Sequence, residues 1–67
     1  MLNEKKRITE EEIKVAMGHI IEFGKPSGRI GLSKLIANEK DYMVFETKDH
    51  KIIRNHKESL DYIKVVA

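Results

Sequence analysis

His19, His50 and His56 are the residues of this chain with the chemistry of a metal ligand or a general base. None has ligand spacing with a second histidine, and the nearest pair, His50 and His56, is separated by a turn and a strand-like run. His19 falls with Val15 and Glu22 on the polar side of an amphipathic segment, where a solvated imidazole is the simple reading. Nucleophilic chemistry is no better supplied. The serines and threonines stand in no nucleophile motif, and the chain contains no cysteine, which removes thiol catalysis, thiolate zinc and disulfides together. Glu10, Glu11 and Glu12 are fully used by helix capping. Gly24, Gly28 and Gly31 are not followed by the lysine and hydroxyl residue of a phosphate loop. The expectation is therefore a non-enzymatic protein with no catalytic residue, metal, cofactor or small-molecule substrate.

Binding is the remaining class, and two clusters could carry it. Lys48, His50, Lys51, Arg54, His56 and Lys57 gather basic groups with Asp49 as the one acid before Glu58. A basic ribbon of this kind can neutralise phosphates, so nucleic acid is one expected partner, with Lys48, Lys51, Arg54 and Lys57 as its contacts. Strand alternation works against a single basic stripe, because Lys51 and Arg54 are three apart and point to opposite faces. The second cluster is Tyr42, Met43, Val44, Phe45, Ile52 and Ile53, which makes both faces of one hairpin apolar. That excess favours a protein partner or a homodimer, contacted through Tyr42, Val44, Phe45 and Ile53. A small regulatory or inhibitory protein acting by protein contacts is the leading expectation, and phosphate binding at the hairpin tip is the alternative.

Thr9 followed by Glu12 is a capping box, Ile8 and Ile13 form a hydrophobic staple, and three glutamates sit in the first turn where the helix dipole favours them. Ile13, Ala16, Met17, Ile20 and Phe23 recur at steps of three and four, so a helix is predicted over 10–23, stopped by Gly24 and Pro26. Residues 30–37 are ambiguous. Leu32, Leu35 and Ile36 have helical spacing, whereas Ile30, Leu32, Lys34 and Ile36 alternate as a strand would, and a third strand is slightly favoured. Residues 42–47 and 52–54 read as a hairpin, and Asn55 with Glu58 caps a short terminal helix carrying Leu60 and Ile63.

Two resemblances arise from this order. Gly28 to Leu35, after a capped helix and before a hairpin, resembles the opening of the second helix in winged helix-turn-helix proteins. The five residues from Ala37 to Asp41 leave no room for a recognition helix, so no base-reading role carries over. The order helix, three strands, helix is also similar to that of double-stranded RNA-binding domains, whose basic helix entrance is matched poorly by His56 and Lys57. Shared topology implies no function here.

At 67 residues, 40% apolar and 36% charged, the chain has room for one small domain whose core barely offsets the cost of ordering it. Net charge is +2, and no apolar run suits a membrane span or a secretory signal, so a cytoplasmic protein is expected. The fold expected is α+β: a flexible basic tail over 1–8, then a single domain over 9–67 with an N-terminal amphipathic helix, a hairpin or three-stranded antiparallel meander, and a short C-terminal helix.

Overall fold

A computed structural model describes residues 8–67; of the tail expected over 1–8, all but Ile8 lies outside the described residues. The chain opens as predicted. In α1 (Glu10–Ala16) the Thr9 hydroxyl accepts from the Glu12 amide at 3.1 Å, and the Glu12 carboxylate accepts from the Thr9 amide at 2.9 Å. Ile8 packs on the core cluster to which the fully buried Ile13 belongs. The helix then ends seven residues in, well short of 23.

Gly18 makes that ending possible. It sits at φ +81°, a left-handed conformation that glycine adopts without steric cost. Its N–H donates to Leu35 O at 2.8 Å and Leu35 N–H donates to His19 O at 3.1 Å, so the chain passes directly from helix to sheet. The helical spacing of Ile20 and Phe23 is coincidental. As strand β1 (Ile20–Gly24) the segment buries Ile21 and Phe23 on one face and turns Ile20 and Glu22 to the other.

The remainder corrects the expected helix, meander and terminal helix to a five-stranded sheet with one short helix. Strands β2 (Ile30–Asn38), β3 (Tyr42–Glu46), β4 (Ile52–His56) and β5 (Tyr62–Val65) join β1 in the order β4-β3-β2-β1-β5, and every neighbouring pair is antiparallel. No terminal helix starts at Asn55. Strand β4 continues through it to His56, a 3₁₀ turn follows over Lys57–Ser59, and the His56 imidazole, not Asn55, accepts from the Glu58 amide at 3.1 Å. Leu60 and Ile63, three apart, fit a helix face, but the free edge of β1 takes residues 62–65 as a strand instead. Gly28 to Leu35, the segment resembling a second DNA-binding helix, is turn and strand.

Two of the turns share one design. In Lys25–Arg29 the Gly28 amide donates to Lys25 O and the Lys25 amide to Arg29 O, with Pro26 at the position that wants its fixed φ and Gly28 at φ +95°. In Thr47–Lys51 the same bonds recur, from His50 to Thr47 O and from Thr47 to Lys51 O, and His50 occupies the left-handed position at φ +64°.

The core lies between α1 and the inner face of the sheet: Ile13, Ala16, Ile21, Phe23, Leu35, Met43, Phe45 and Leu60. The rings of Phe23 and Phe45 meet with centroids 4.9 Å apart. Their bulk is accommodated by small residues on β2, since Phe23 lies across Gly31 and the neighbouring inward position is Ser33. Inward Gly31 and Ser33 thus leave Ile30 and Leu32 on the outside. A bulge at Ile36, where pairing passes from Leu35/Phe45 to Ala37/Val44, resets the alternation for the end of the strand.

Candidate protein-contact surface

The outer face of the sheet is assembled by register. Ile20 pairs with Lys34, Glu22 with Leu32, and Gly24 with Ile30; across β1 on the other side, Glu22 faces Lys64 and Gly24 faces Tyr62. Tyr62 lies flat over Gly24, where any Cβ would collide with its ring, and its hydroxyl donates to Glu22 Oε2 at 2.6 Å. That bond to a carboxylate raises the Tyr62 pKa above its ordinary value. Around this fixed polar pair stand Ile20, Ile30 and Leu32. Ile30 is 64% exposed and Leu32 61%, and α1 lies on the opposite side of the sheet.

The residues first singled out fall elsewhere. Phe45 is fully enclosed in the core, and Val44 is buried outside the core cluster opposite Arg54. Tyr42 and Ile53 are exposed but stand on opposite faces of the β3/β4 ribbon, Tyr42 opposite His56 and Ile53 opposite Phe45. These four residues form no common surface. The outward aliphatics of β2 belong to the alternation of Ile30, Leu32 and Lys34, a pattern that does not by itself say which face of the sheet it lines.

The basic cluster is largely tied down. Arg54 contacts Glu39 Oε1 at 2.7 Å and its guanidinium lies 4.8 Å from the Tyr42 ring centroid. Lys57, whose side chain is 14% exposed, reaches Glu10 Oε2 at 2.8 Å. The Lys57 hydrogen bond, joined by one from Asn38, lowers the Glu10 pKa. Lys48 and Lys51 remain exposed at the turn and form no ion pair among the described residues. The histidines serve the backbone and neighbouring carboxylates: His19 Nδ1 lies 3.2 Å from Ala67 O, and His50 Nδ1 lies 3.1 Å from Glu46 Oε2. No group of three or more His, Asp or Glu side chains converges among the described residues.

No protein-family model matches the chain, and neither the curated proteins nor the solved structures yield a match. Among the described residues no helix is long and apolar enough to cross a membrane. The surface must therefore be read on its own chemistry. Exposed aliphatics beside a fixed Tyr62–Glu22 pair, with Lys34 and Lys64 at its margin, make an apolar centre with a charged rim, the anatomy of a protein interface. A shallow groove of about 220 Å³ between α1 and β5, lined by Glu12, Val15, Ala16, Ile63 and Val65, is small and open by comparison with a ligand site.

Proposed function

We propose that this chain is a small, non-enzymatic, regulatory or inhibitory binding protein of the cytoplasm that acts through protein–protein contacts. The observation that carries the reading is the exposure of Ile30 and Leu32 side by side with Ile20 on the outer face of β1 and β2. Fully burying an aliphatic side chain is worth roughly 1.5–3 kcal/mol, so covering these residues would supply a useful fraction of a binding energy at no cost to the fold. The test is Leu32→Lys, with Ile30→Lys as its companion. Both side chains stand in solvent, so the variants should keep the far-UV spectrum and unfolding midpoint of the parent. Association with a partner purified from the source cells should fall at least tenfold. Partner association that survives both substitutions would refute the reading.

The alternative, phosphate contact at the Thr47–Lys51 turn, is favoured by Lys48 and Lys51 alone, since Arg54 and Lys57 are engaged with carboxylates. It requires oligonucleotide affinity that falls steeply with salt and weakens in Lys51→Ala.

A further inference from the structure

The two edges of the sheet are unequal. At the β5 edge, Glu12, Val15 and Ala16 of α1 stand beside Ile63 and Val65. At the β4 edge the hydrogen-bond phase is fixed from both ends: Lys57 N–H donates to Asp41 O, and Thr47 N–H donates to Lys51 O, each at 2.9 Å. Antiparallel pairs alternate between bonded and unbonded, so Lys51, Ile53, Asn55 and Lys57 turn their backbone groups toward β3. The N–H and C=O of Ile52 and Arg54 consequently point away from the sheet. His56 O is already taken by the Ser59 hydroxyl at 2.8 Å.

Exposed edges are normally protected by proline, a bulge or unpaired charge. Strand β4 has no proline, and the bulge lies two strands away at Ile36. Its one lysine or arginine, Arg54, is neutralised by Glu39 of the same chain. Ile52 and Ile53 are 58% and 37% exposed on the two faces of this strand. On the inner side next to them, Asn55 Nδ2 is buried with no hydrogen-bond partner among the described residues.

We infer that β4 pairs antiparallel with β4 of a second copy, joining two sheets into one of ten strands about a two-fold axis. This rests on the reading of the chain as a protein-contact module and assigns its β4 edge, a contact separate from the outer face, to a second copy. The phase allows few registers. Centring on Arg54 would pair Ile52 with His56 of the second copy, whose carbonyl is already taken by the Ser59 hydroxyl, and centring on Asn55 drives the strands into the 3₁₀ turns. Centring on Ile53 does neither. It bonds Ile52 to Arg54 of the second copy and the reverse, satisfying the outward groups of both residues. It also sets the two Ile53 residues in a close unbonded pair, Cα atoms about 4.5 Å apart.

Three measurements test this. Sedimentation across a roughly hundredfold range of concentration should show the mass rising toward twice the 7.8 kDa of one chain. Amide hydrogen exchange over the same range should slow at least tenfold for Ile52 and Arg54 and remain unchanged for Ile53, which is bonded to β3 throughout. Because the chain contains no cysteine, Ile53→Cys should be cross-linked by mild oxidation into a disulfide dimer, and Ile52→Cys severalfold less, although Ile52 is the more exposed. A monomer at every concentration overturns the inference, and so does equal cross-linking of the two variants. Association that is lost in Leu32→Lys while the Ile52 and Arg54 amides stay unprotected overturns this inference and leaves the outer-face reading standing.

Discussion

Gly31→Ala is the substitution for which local propensity and packing disagree in sign. An alanine is better than glycine in a strand interior by roughly 0.5–1 kcal/mol, so on backbone grounds the change stabilises. The structure predicts the opposite. A Cβ at Gly31 would lie 2.5 and 2.6 Å from two ring carbons of Phe23, an ångström inside ordinary contact. Phe23 cannot simply withdraw, because its ring is packed against Phe45 in the core. Overpacking of this kind costs typically 1–3 kcal/mol, leaving a net loss of up to about 2.5 kcal/mol. For a domain of this size that is a large share of a total of roughly 3–10 kcal/mol, and it lowers the melting temperature by about 4–8 °C per kcal/mol. Urea and thermal unfolding followed by far-UV circular dichroism measure the loss. The decisive control is Phe23→Leu, which trims the ring: in the double variant Gly31→Ala should cost at least 0.5 kcal/mol less than alone. A neutral or stabilising single variant, or strict additivity with Phe23→Leu, would refute the account of β2 as a strand narrowed to admit Phe23.

The two similar turns give a reciprocal pair. His50→Gly should raise stability by about 0.5 kcal/mol, since glycine removes the left-handed strain and the exposed contact with Glu46 repays little of it, whereas Gly28→His should lower stability by at least 1 kcal/mol. Urea midpoints decide it, and equal effects of like sign would contradict the shared turn geometry. The Tyr62 hydroxyl should titrate above the ordinary 10.0 by ultraviolet absorbance and return toward it in Glu22→Gln. Because its folded pKa is raised, the stability it contributes is whole below pH 10 and declines as pH climbs through the folded value. Unchanged titration in Glu22→Gln would rule out the bond. Glu10 carries the opposite sign: with its pKa lowered by Lys57 and Asn38, its contribution is whole above the ordinary 4.5 and fades as pH drops through the folded value, an acid-side loss that Lys57→Met should diminish.

What could be read in the sequence was whatever is decided within a few residues. The Thr9–Glu12 box specifies its helix start to the residue, and residues 42–47 and 52–54 announce their hairpin through β-branched and aromatic density. The end of α1 was misplaced because Ile20 and Phe23 continue the helical stripe, while the contrary signal, Gly18, reads equally as a tolerated glycine. Strand β5 was hidden for a different reason. Leu60 and Ile63 suit a helix locally, and only the unpaired edge of β1, about forty residues earlier in the chain, makes them a strand. The outward direction of Ile30 and Leu32 is hidden for a related reason: it depends on Phe23 filling the space above Gly31, and no local pattern contains that fact.

The pairing of β5 with β1 also sets an order of events. Strands β1, β2 and β3 are each joined by a short turn to the strand that follows and pairs with them, so β1 to β4 can zip in sequence. Closure by β5 must wait for a loop of some forty residues to find its ends, and such non-local pairing pays its entropy before it is rewarded. The Tyr62–Glu22 bond and the flat packing of Tyr62 on Gly24 sit at that junction, so they latch the last step of folding and bear mainly on how fast the domain comes apart.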